Sequence, residues 1–303
     1  MTASDFRVTL LGTGVPIPSP ERFGPCSLVE AGDQKFLIDA GRGATIRLYQ
    51  LKLPIGRIDV QFLTHYHSDH TSGVPDVWLT GWLESHFGTR KTPYRVVGPT
   101  GARELIENLE RAYALDIKIR VADEKLPLSG IATDVTEFDR DGVVFEKNGV
   151  KVIAFEVDHG AVIKPCYGYR VEYGGRVAVF SSDTRYNQNV IKYGAGADLL
   201  VHEVASARPE LMREAYIQRI IAHHTTPREA GSVFAQTRPK LAAYTHIVLL
   251  GSERIPPPTI DDIVAETRQT YGGPLVAGED LMAFDIGATV SVERHPSRSP
   301  PKA

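Results

Sequence analysis

Apolar positions along the chain gather into short runs, and most of these are rich in β-branched residues. Phe6 to Leu11, Lys35 to Asp39, Val60 to Thr64, Arg95 to Val97, Val150 to Val157, Tyr167 to Glu172, Arg176 to Ser181, Leu199 to His202 and Leu241 to Thr245 each read as a strand. Tyr173-Gly174-Gly175 between two of them is a hairpin signal. Helical spacing is found at about 42 to 51, 69 to 86, 100 to 112, 208 to 221, 227 to 236 and 259 to 271. Two of these helices have marked starts. Thr226-Pro227-Arg228-Glu229 offers a capping hydroxyl, a proline at the first helical position and a glutamate to complete a capping box, and Thr259 with Asp262 repeats the device after Pro256-Pro257-Pro258.

Strands interleaved with helices in both halves predict mixed sheets covered by helices, a layered α/β arrangement. Residues 122 to 142 are the least periodic internal stretch, read as a solvated connection or an insert edging a pocket. With no internal repeat or linker, one domain is expected over 1–294 and a flexible tail over 295–303, rich in Pro, Ser and basic residues.

Composition narrows the function classes. The chain has 303 residues, 42% hydrophobic and 23% charged, which suits a soluble globular protein. A net charge of −3 gives no global basic field to attract nucleic acid or an anionic membrane, so any polyanion must be bound locally. The two cysteines, Cys26 and Cys166, lie far apart and read as buried free thiols. No stretch approaches a membrane span or a signal peptide, so a cytoplasmic protein is expected unless a leader was trimmed.

The chemistry concentrates at THYHSDH, residues 64 to 70, where three of the ten histidines follow an apolar run. His65 and His67, two apart on extended backbone, project the same way, while Asp69 and His70 open the next helix and turn toward a second point. Three further strands each deliver a donor at the carboxy-terminal boundary: His159 after KVIAFEVD, Asp183 after RVAVFSS and His246 after KLAAYT. Open α/β sites collect their ligands at such ends. Imidazole and carboxylate donors suit divalent first-row cations, zinc first and manganese or iron as alternatives. His65, His67 and His159 are expected to hold one cation, Asp69, His70 and His246 a second, with Asp183 bridging. Such a pair lowers the pKa of a shared water from ~15.7 toward ~7 and makes it a nucleophile.

Taken in order, LLGTG at 10 to 14, DAGRGAT at 39 to 45, THYHSDH, GPTG at 98 to 101, DH at 158 to 159 with GYR at 168 to 170, SSDTR at 181 to 185, ADLLVHE at 197 to 203, HTTPREA at 224 to 230 and TH at 245 to 246 form a pattern over most of the chain. It resembles the metallo-β-lactamase superfamily, and within it ribonuclease Z and its arylsulfatase and phosphodiesterase relatives. The resemblance implies a four-layer αββα sandwich, two zinc ions held by the same seven residues, and a homodimer. It further implies that Asp69, Glu203 and His224 are catalytic, with the histidine facing the scissile phosphate and the glutamate orienting it. Short bacterial ribonucleases Z carry a long arm that grips tRNA after the GYR strand, whereas GYRVEYGGRVAVFSSDT here turns back at once.

The first expectation is therefore a di-metal hydrolase of small anionic esters, either phosphodiesters or aryl sulfates. The alternatives are tRNA 3′-end cleavage of the ribonuclease Z type and, in another class, a catalytically silent metal- or partner-binding protein. Trp78 and Trp82, four apart on one helix, are candidates to stack on an aromatic leaving group, and Arg185 is a candidate contact for an anionic one.

Overall fold

The computed structural model describes residues 5–296, so the expectation for the tail lies, beyond Pro296, outside the described residues. The first half of the chain supplies strands β1 (Phe6–Gly12), β2 (Cys26–Ala31), β3 (Gln34–Ile38), β4 (Val60–Phe62), β5 (Tyr94–Pro99) and β6 (Thr133–Phe138). Between them fall helices α1 (Ala44–Gln50), α2 (Ser68–Thr71), α3 (Val74–Trp82), α4 (Ala102–Asp123) and α5 (Leu128–Ile131). The second half supplies β7 (Gly142–Lys147), β8 (Val150–Glu156), β9 (Tyr167–Tyr173), β10 (Arg176–Phe180), β11 (Leu199–Ala207), β12 (Leu241–Leu250) and β13 (Leu275–Ala277). With these go α6 (Gln188–Gly194), α7 (Ala215–Ile221), α8 (Pro227–Thr237) and α9 (Ile260–Thr267). The chain then returns to the first sheet as β14 (Ala283–Ile286) and β15 (Val290–Glu293).

One sheet runs β15-β14-β1-β2-β3-β4-β5-β6 and the other β13-β12-β11-β10-β9-β8-β7. Each is antiparallel at one side and parallel at the other, the parallel runs being β3 to β6 and β10 to β13. Successive side chains of a strand point to opposite faces, and here both faces are covered. Leu10 enters the core between the sheets and Leu11 the layer beneath α1, α3 and α4. In β11, Leu199 and Val201 face the other sheet while Leu200 packs with Val190 of α6, Phe234 of α8 and Ile263 of α9. The order of layers is helix, sheet, sheet, helix. Strands buried on both faces explain why the apolar runs along the chain are nearly continuous.

Thr226 and Thr259 both close complete capping boxes, with Glu229 and Asp262. Cys26 and Cys166 are free and buried. Three expectations need correction. The helix expected at 69 to 86 is broken into α2 and α3 because the chain at Gly73 lies against the loop after β3. Gly73 N donates to Ala40 O at 2.8 Å, and a Cβ there would stand 2.4 Å from Gly41 O. The stretch 208 to 221 is a 3-10 turn at Pro209–Arg213 and α7, separated by Glu214 in extended conformation. Residues 122 to 142 are not a plain connection: they hold the end of α4, all of α5 and edge strand β6, paired parallel to β5. That strand is hard to read because its outer position leaves polar TDVTEF without a buried residue, alternating between half-buried and exposed over its first four positions.

Candidate metal centre

Strands of both sheets end at one shared edge, and each end contributes a polar side chain. Three and five residues beyond β4, His65 and His67 leave an extended segment, and His67 stands at the N-cap position of α2, which carries Asp69 and His70. Gly41 makes this loop possible: the loop after β3 approaches so closely that a Cβ on Gly41 would sit 2.4 Å from Asp69 O. Beyond β8 comes His159 and beyond β10 comes Asp183, delivered by Ser182 in a left-handed conformation at φ 59°. His246 arrives differently. Register between β11 and β12 passes from Glu203↔Thr245 to Val204↔Ile247, so His246 is an extra bulged residue with φ 40°. Bulges of this kind re-aim a side chain.

The donors of His65, His67, His159 and Asp183 all lie within 4.8 Å of one another, as do those of Asp69, His70 and His246. Asp183 Oδ2 joins the two groups. It lies 3.3 Å from His246 Nε2, 3.4 Å from His70 Nε2, 3.6 Å from His159 Nε2 and 4.0 Å from His65 Nε2. His246 Nε2 is also 3.2 Å from Asp69 Oδ2. Six of these seven residues are buried, while His67 opens to solvent.

Two observations test whether divalent cations fit here. His67 Nδ1 stands 3.1 Å from His65 Nε2 and 3.3 Å from His159 Nε2. Ligands about 2.0–2.1 Å from one tetrahedral ion are separated by roughly 3.3 Å, so these spacings are those of a shared cation. Second, the outer nitrogens are already engaged. His159 Nδ1 faces the His223 carbonyl at 2.9 Å and must donate to it, and His70 Nδ1 faces Asp39 Oδ2 at 2.7 Å. Their Nε2 atoms are left to present lone pairs inward, and His70 Nε2 is buried without a hydrogen bond. The residues present fit the group.

Electrostatics agree. Burial holds His65 well below the ordinary imidazole range, lowers His67 and takes His159 down to about 4, so all three favour the neutral form that binds metal. For His70 burial acts in the same sense, but Asp183 and Asp39 outweigh it and hold the group well above its usual value. Burial would raise Asp183, yet His246 and His70 keep it well below the carboxylate range. Three buried carboxylates, Asp39, Asp69 and Asp183, thus crowd one point and require positive charge from protons or cations.

Beside this cluster, His224 Nδ1 lies 3.2 Å from Glu203 Oε2, and its donor falls in a third group with Asp183 and His246. Glu203 is fully enclosed, its Oε1 accepting from Thr225 N at 2.8 Å and Thr184 N at 3.3 Å. Burial alone would lower His224, but the charge and hydrogen bond of Glu203 raise it to about 9. The pair combines a proton donor with a fixed orienting carboxylate.

Comparison with known proteins decides the family. Residues 34–247 match the model of the Beta-lactamase superfamily domain. A protein named Ribonuclease Z from Mycobacterium marinum is 33% identical over 288 residues, covering 93% of this chain and 99% of that one. Another Ribonuclease Z, from Mycolicibacterium paratuberculosis, is 36% identical over 288 residues with the same coverage. The chain belongs to the metallo-β-lactamase superfamily, in its ribonuclease Z-like branch. Among solved structures, this superfamily fold is shared with YhfI of Bacillus subtilis, described as a metallo-beta-lactamase fold protein, at TM-score 0.70 and 19% identity over 92% of this chain and 98% of the other. The short form of human tRNase Z shares it at TM-score 0.67 and 24% identity, over 91% and 98%. As a member of the superfamily the chain is a metal-dependent hydrolase of ester bonds. Among the described residues no helix is long and apolar enough to cross a membrane.

Three expected substrate contacts fare differently within this superfamily site. Trp78 and Trp82 are corrected: each is 1% exposed, packed in the layer between the first sheet and its helices. Their indole N–H groups are taken by Ile131 O at 2.9 Å and Pro127 O at 2.8 Å, so neither ring has a free face for a leaving group. Trp78→Ala is expected to destabilise the fold by about 3–5 kcal/mol, with KM of the remaining folded enzyme unchanged. Urea unfolding beside steady-state kinetics checks this. Arg185 does reach the neighbourhood of the site, but it is half exposed and paired with Asp158 at 3.1 Å. Asp39 and the His223 carbonyl were not singled out among the sequence candidates. A signal for Asp39 was present, since it closes a strand beside β4 as the ligands close theirs.

Proposed function

We propose that this chain is a two-cation phosphodiesterase of the ribonuclease Z type, cleaving RNA at the 3′ end of precursor tRNA. The observation that carries the reading is the Glu203–His224 pair set against the seven-donor cluster, in a chain that matches proteins named Ribonuclease Z from end to end. His65, His67 and His159 would hold one cation, Asp69, His70 and His246 the other, and Asp183 both, with zinc first and manganese or iron as alternatives. When bound, such a pair lowers the pKa of an attacking water from ~15.7 toward ~7 and draws charge from the phosphate oxygens.

The chain's own residues do the rest. Asp69 commits Oδ2 toward His246 and keeps its other oxygen as an acceptor for the attacking water. Glu203 accepts from His224 Nδ1–H and its charge favours the imidazolium, whose second proton, on Nε2, His224 delivers to the leaving alkoxide, returning to the neutral ring. The short turn at Gly174-Gly175 argues for small anionic esters, because an arm that grips tRNA has no room there. The mycobacterial relatives weaken that argument. A match of 288 residues that takes in 93% of this chain and 99% of the relative leaves no space for a long insert in the relative either.

A small phosphodiester or aryl sulfate is the second reading, favoured by that hairpin and by the net charge of −3. One assay set separates the two. Precursor tRNA, bis-p-nitrophenyl phosphate and an aryl sulfate are each compared by kcat/KM. The first reading expects precursor tRNA to lead by orders of magnitude and its KM to rise steeply with salt, as phosphate contacts are screened. Equal or better turnover of a small ester, insensitive to salt, would favour the second.

A further inference from the structure

We propose that Arg185 is a substrate-binding residue that holds the phosphate next to the scissile one, and so gives this chain a preference for an RNA strand over an isolated ester. The inference rests on the reading that the chain cleaves RNA. It deepens that reading by naming where the strand is held in a protein whose net charge is −3.

The guanidinium of Arg185 is half spent and half free. Its Nε lies 3.1 Å from Asp158 Oδ2 and its Nη2 donates to Asp158 Oδ1 at 3.1 Å, so one edge of the fork is closed on a carboxylate. Asp158 is itself fixed. Its Oδ1 also accepts from Gly160 N at 3.0 Å, and its backbone carbonyl accepts from Arg185 N at 2.9 Å. Of the five N–H donors of Arg185 three remain, two on Nη1 and one on Nη2, with no acceptor among the described residues. One from each terminal nitrogen forms the second edge of the planar fork, the shape that meets two phosphate oxygens at once. Both side chains of the pair are 46% exposed, and an ion pair so exposed is worth little to the fold. What the pairing does achieve is orientation of the free edge.

Position makes this edge a subsite. Asp158 and Arg185 flank the donors His159 and Asp183, and His159 Nε2 lies 3.3 Å from His67 Nδ1, where the cluster opens to solvent. The His223 ring continues outward from there, 6.0 Å from the His159 ring and close over Gly160, where a Cβ would stand 2.9 Å from His223 Cδ2. Burial lowers His223, and the charges of His224 and Arg185 lower it further, which puts the guanidinium within electrostatic reach of this rim. Exposed Lys164, on the loop between β8 and β9, adds a second cation. Burial would raise Asp158, but Gly160 N–H, Arg185 and Lys164 keep it below the ordinary carboxylate range, so it remains a charged orienting group. Two cations around one carboxylate leave the rim positive in a chain that is negative overall. A small ester has no second phosphate to place here, whereas a strand does.

The test follows kcat/KM against salt for the full metal-loaded chain and for Arg185→Ala, on precursor tRNA and on bis-p-nitrophenyl phosphate. Arg185→Ala is expected to lose about 10–100-fold more on precursor tRNA than on the small ester. Its plot of log kcat/KM against log salt for tRNA is expected to be shallower than wild type by about 0.7–0.9, the share of one phosphate contact. Equal losses on both substrates with an unchanged slope would make Arg185 only a clamp between two donor-bearing loops, and overturn the proposal. Should Arg185→Ala fail to fold by circular dichroism, Arg185→Gln, which keeps a hydrogen bond to Asp158 without the charge, decides by the same slope. Wild type that leaves precursor tRNA uncut, or cuts it with no dependence on salt, overturns both this inference and the reading beneath it. A salt-dependent wild type matched in slope and substrate ratio by the variant overturns this inference alone.

Discussion

Replacing Asp183 with alanine is expected to reduce phosphodiester cleavage by more than the roughly 10²–10⁴-fold that one proton-transfer group contributes. The reason is geometric. A single oxygen, Oδ2, lies within 4.0 Å of four imidazole nitrogens, two from each donor group. Without it neither group is complete, and the attraction that offsets the burial of His70 and His246 beside it is lost. Metal content should fall with activity. Asp183→Asn separates charge from shape, since the amide keeps one oxygen donor at similar size. It is expected to retain the fold and part of the metal, yet to remain far below wild type. The check is kcat/KM on a saturating series of substrate beside metal analysis of the same preparations; an Asp183→Ala enzyme within tenfold of wild type would refute the bridging role.

His224→Ala is expected to lower kcat by about 10²–10⁴-fold with metal content unchanged. His224 stands at the edge of the cluster rather than inside it, its ring stacked 5.5 Å from His246 and its Nδ1 committed to Glu203. It is therefore free to serve the leaving oxygen. Glu203→Gln should act in the same direction but less severely. Its oxygen can face either His224 or the amide protons of Thr225 and Thr184, and the carboxylate faces all three at once. A substrate with an activated leaving group, such as a p-nitrophenyl ester, should rescue His224→Ala, because p-nitrophenolate departs without a proton. Equal losses on activated and unactivated substrates would remove His224 from the proton-transfer role.

The reach of sequence reasoning differs from residue to residue for physical reasons. His65, His67, His159, Asp183 and His246 were legible because each follows an apolar run that could only be a strand, and the edge where these strands end is where side chains converge. The bulge that aims His246 was not legible: it depends on pairing with β11, which no local pattern records. Glu203 is buried and reads locally as one more residue of a strand; only the resemblance to ribonuclease Z linked it to His224. Asp39 escaped as a site residue because it meets His70 and Thr64 from behind the donor groups and is not one of their donors. The tryptophans failed in the other direction. Spacing of four residues on a helix marks a shared face, and that face here is turned to the sheet. The substrate was drawn toward small esters by a missing arm and a mildly acidic charge, both real features, which the relatives named Ribonuclease Z share in the first respect.

The extent of α4 shows a related limit. Its expected end near 112 coincides with the loss of buried positions, since only Ala102 and Ile106 are buried among its residues. The helix continues to Asp123 with Tyr113, Ile117 and Val121 packed half-buried against the same layer, and with Arg120 paired four residues away with both Asp116 and Glu124.

The whole account depends on cations between the two donor groups. The most direct measurement is elemental analysis by inductively coupled plasma mass spectrometry of the purified full chain, before and after dialysis against a chelator. About two divalent ions per chain, with cleavage lost on their removal and regained on adding zinc or manganese, is the result expected. A chain that contains no stoichiometric metal and still cleaves its ester at full rate would contradict it.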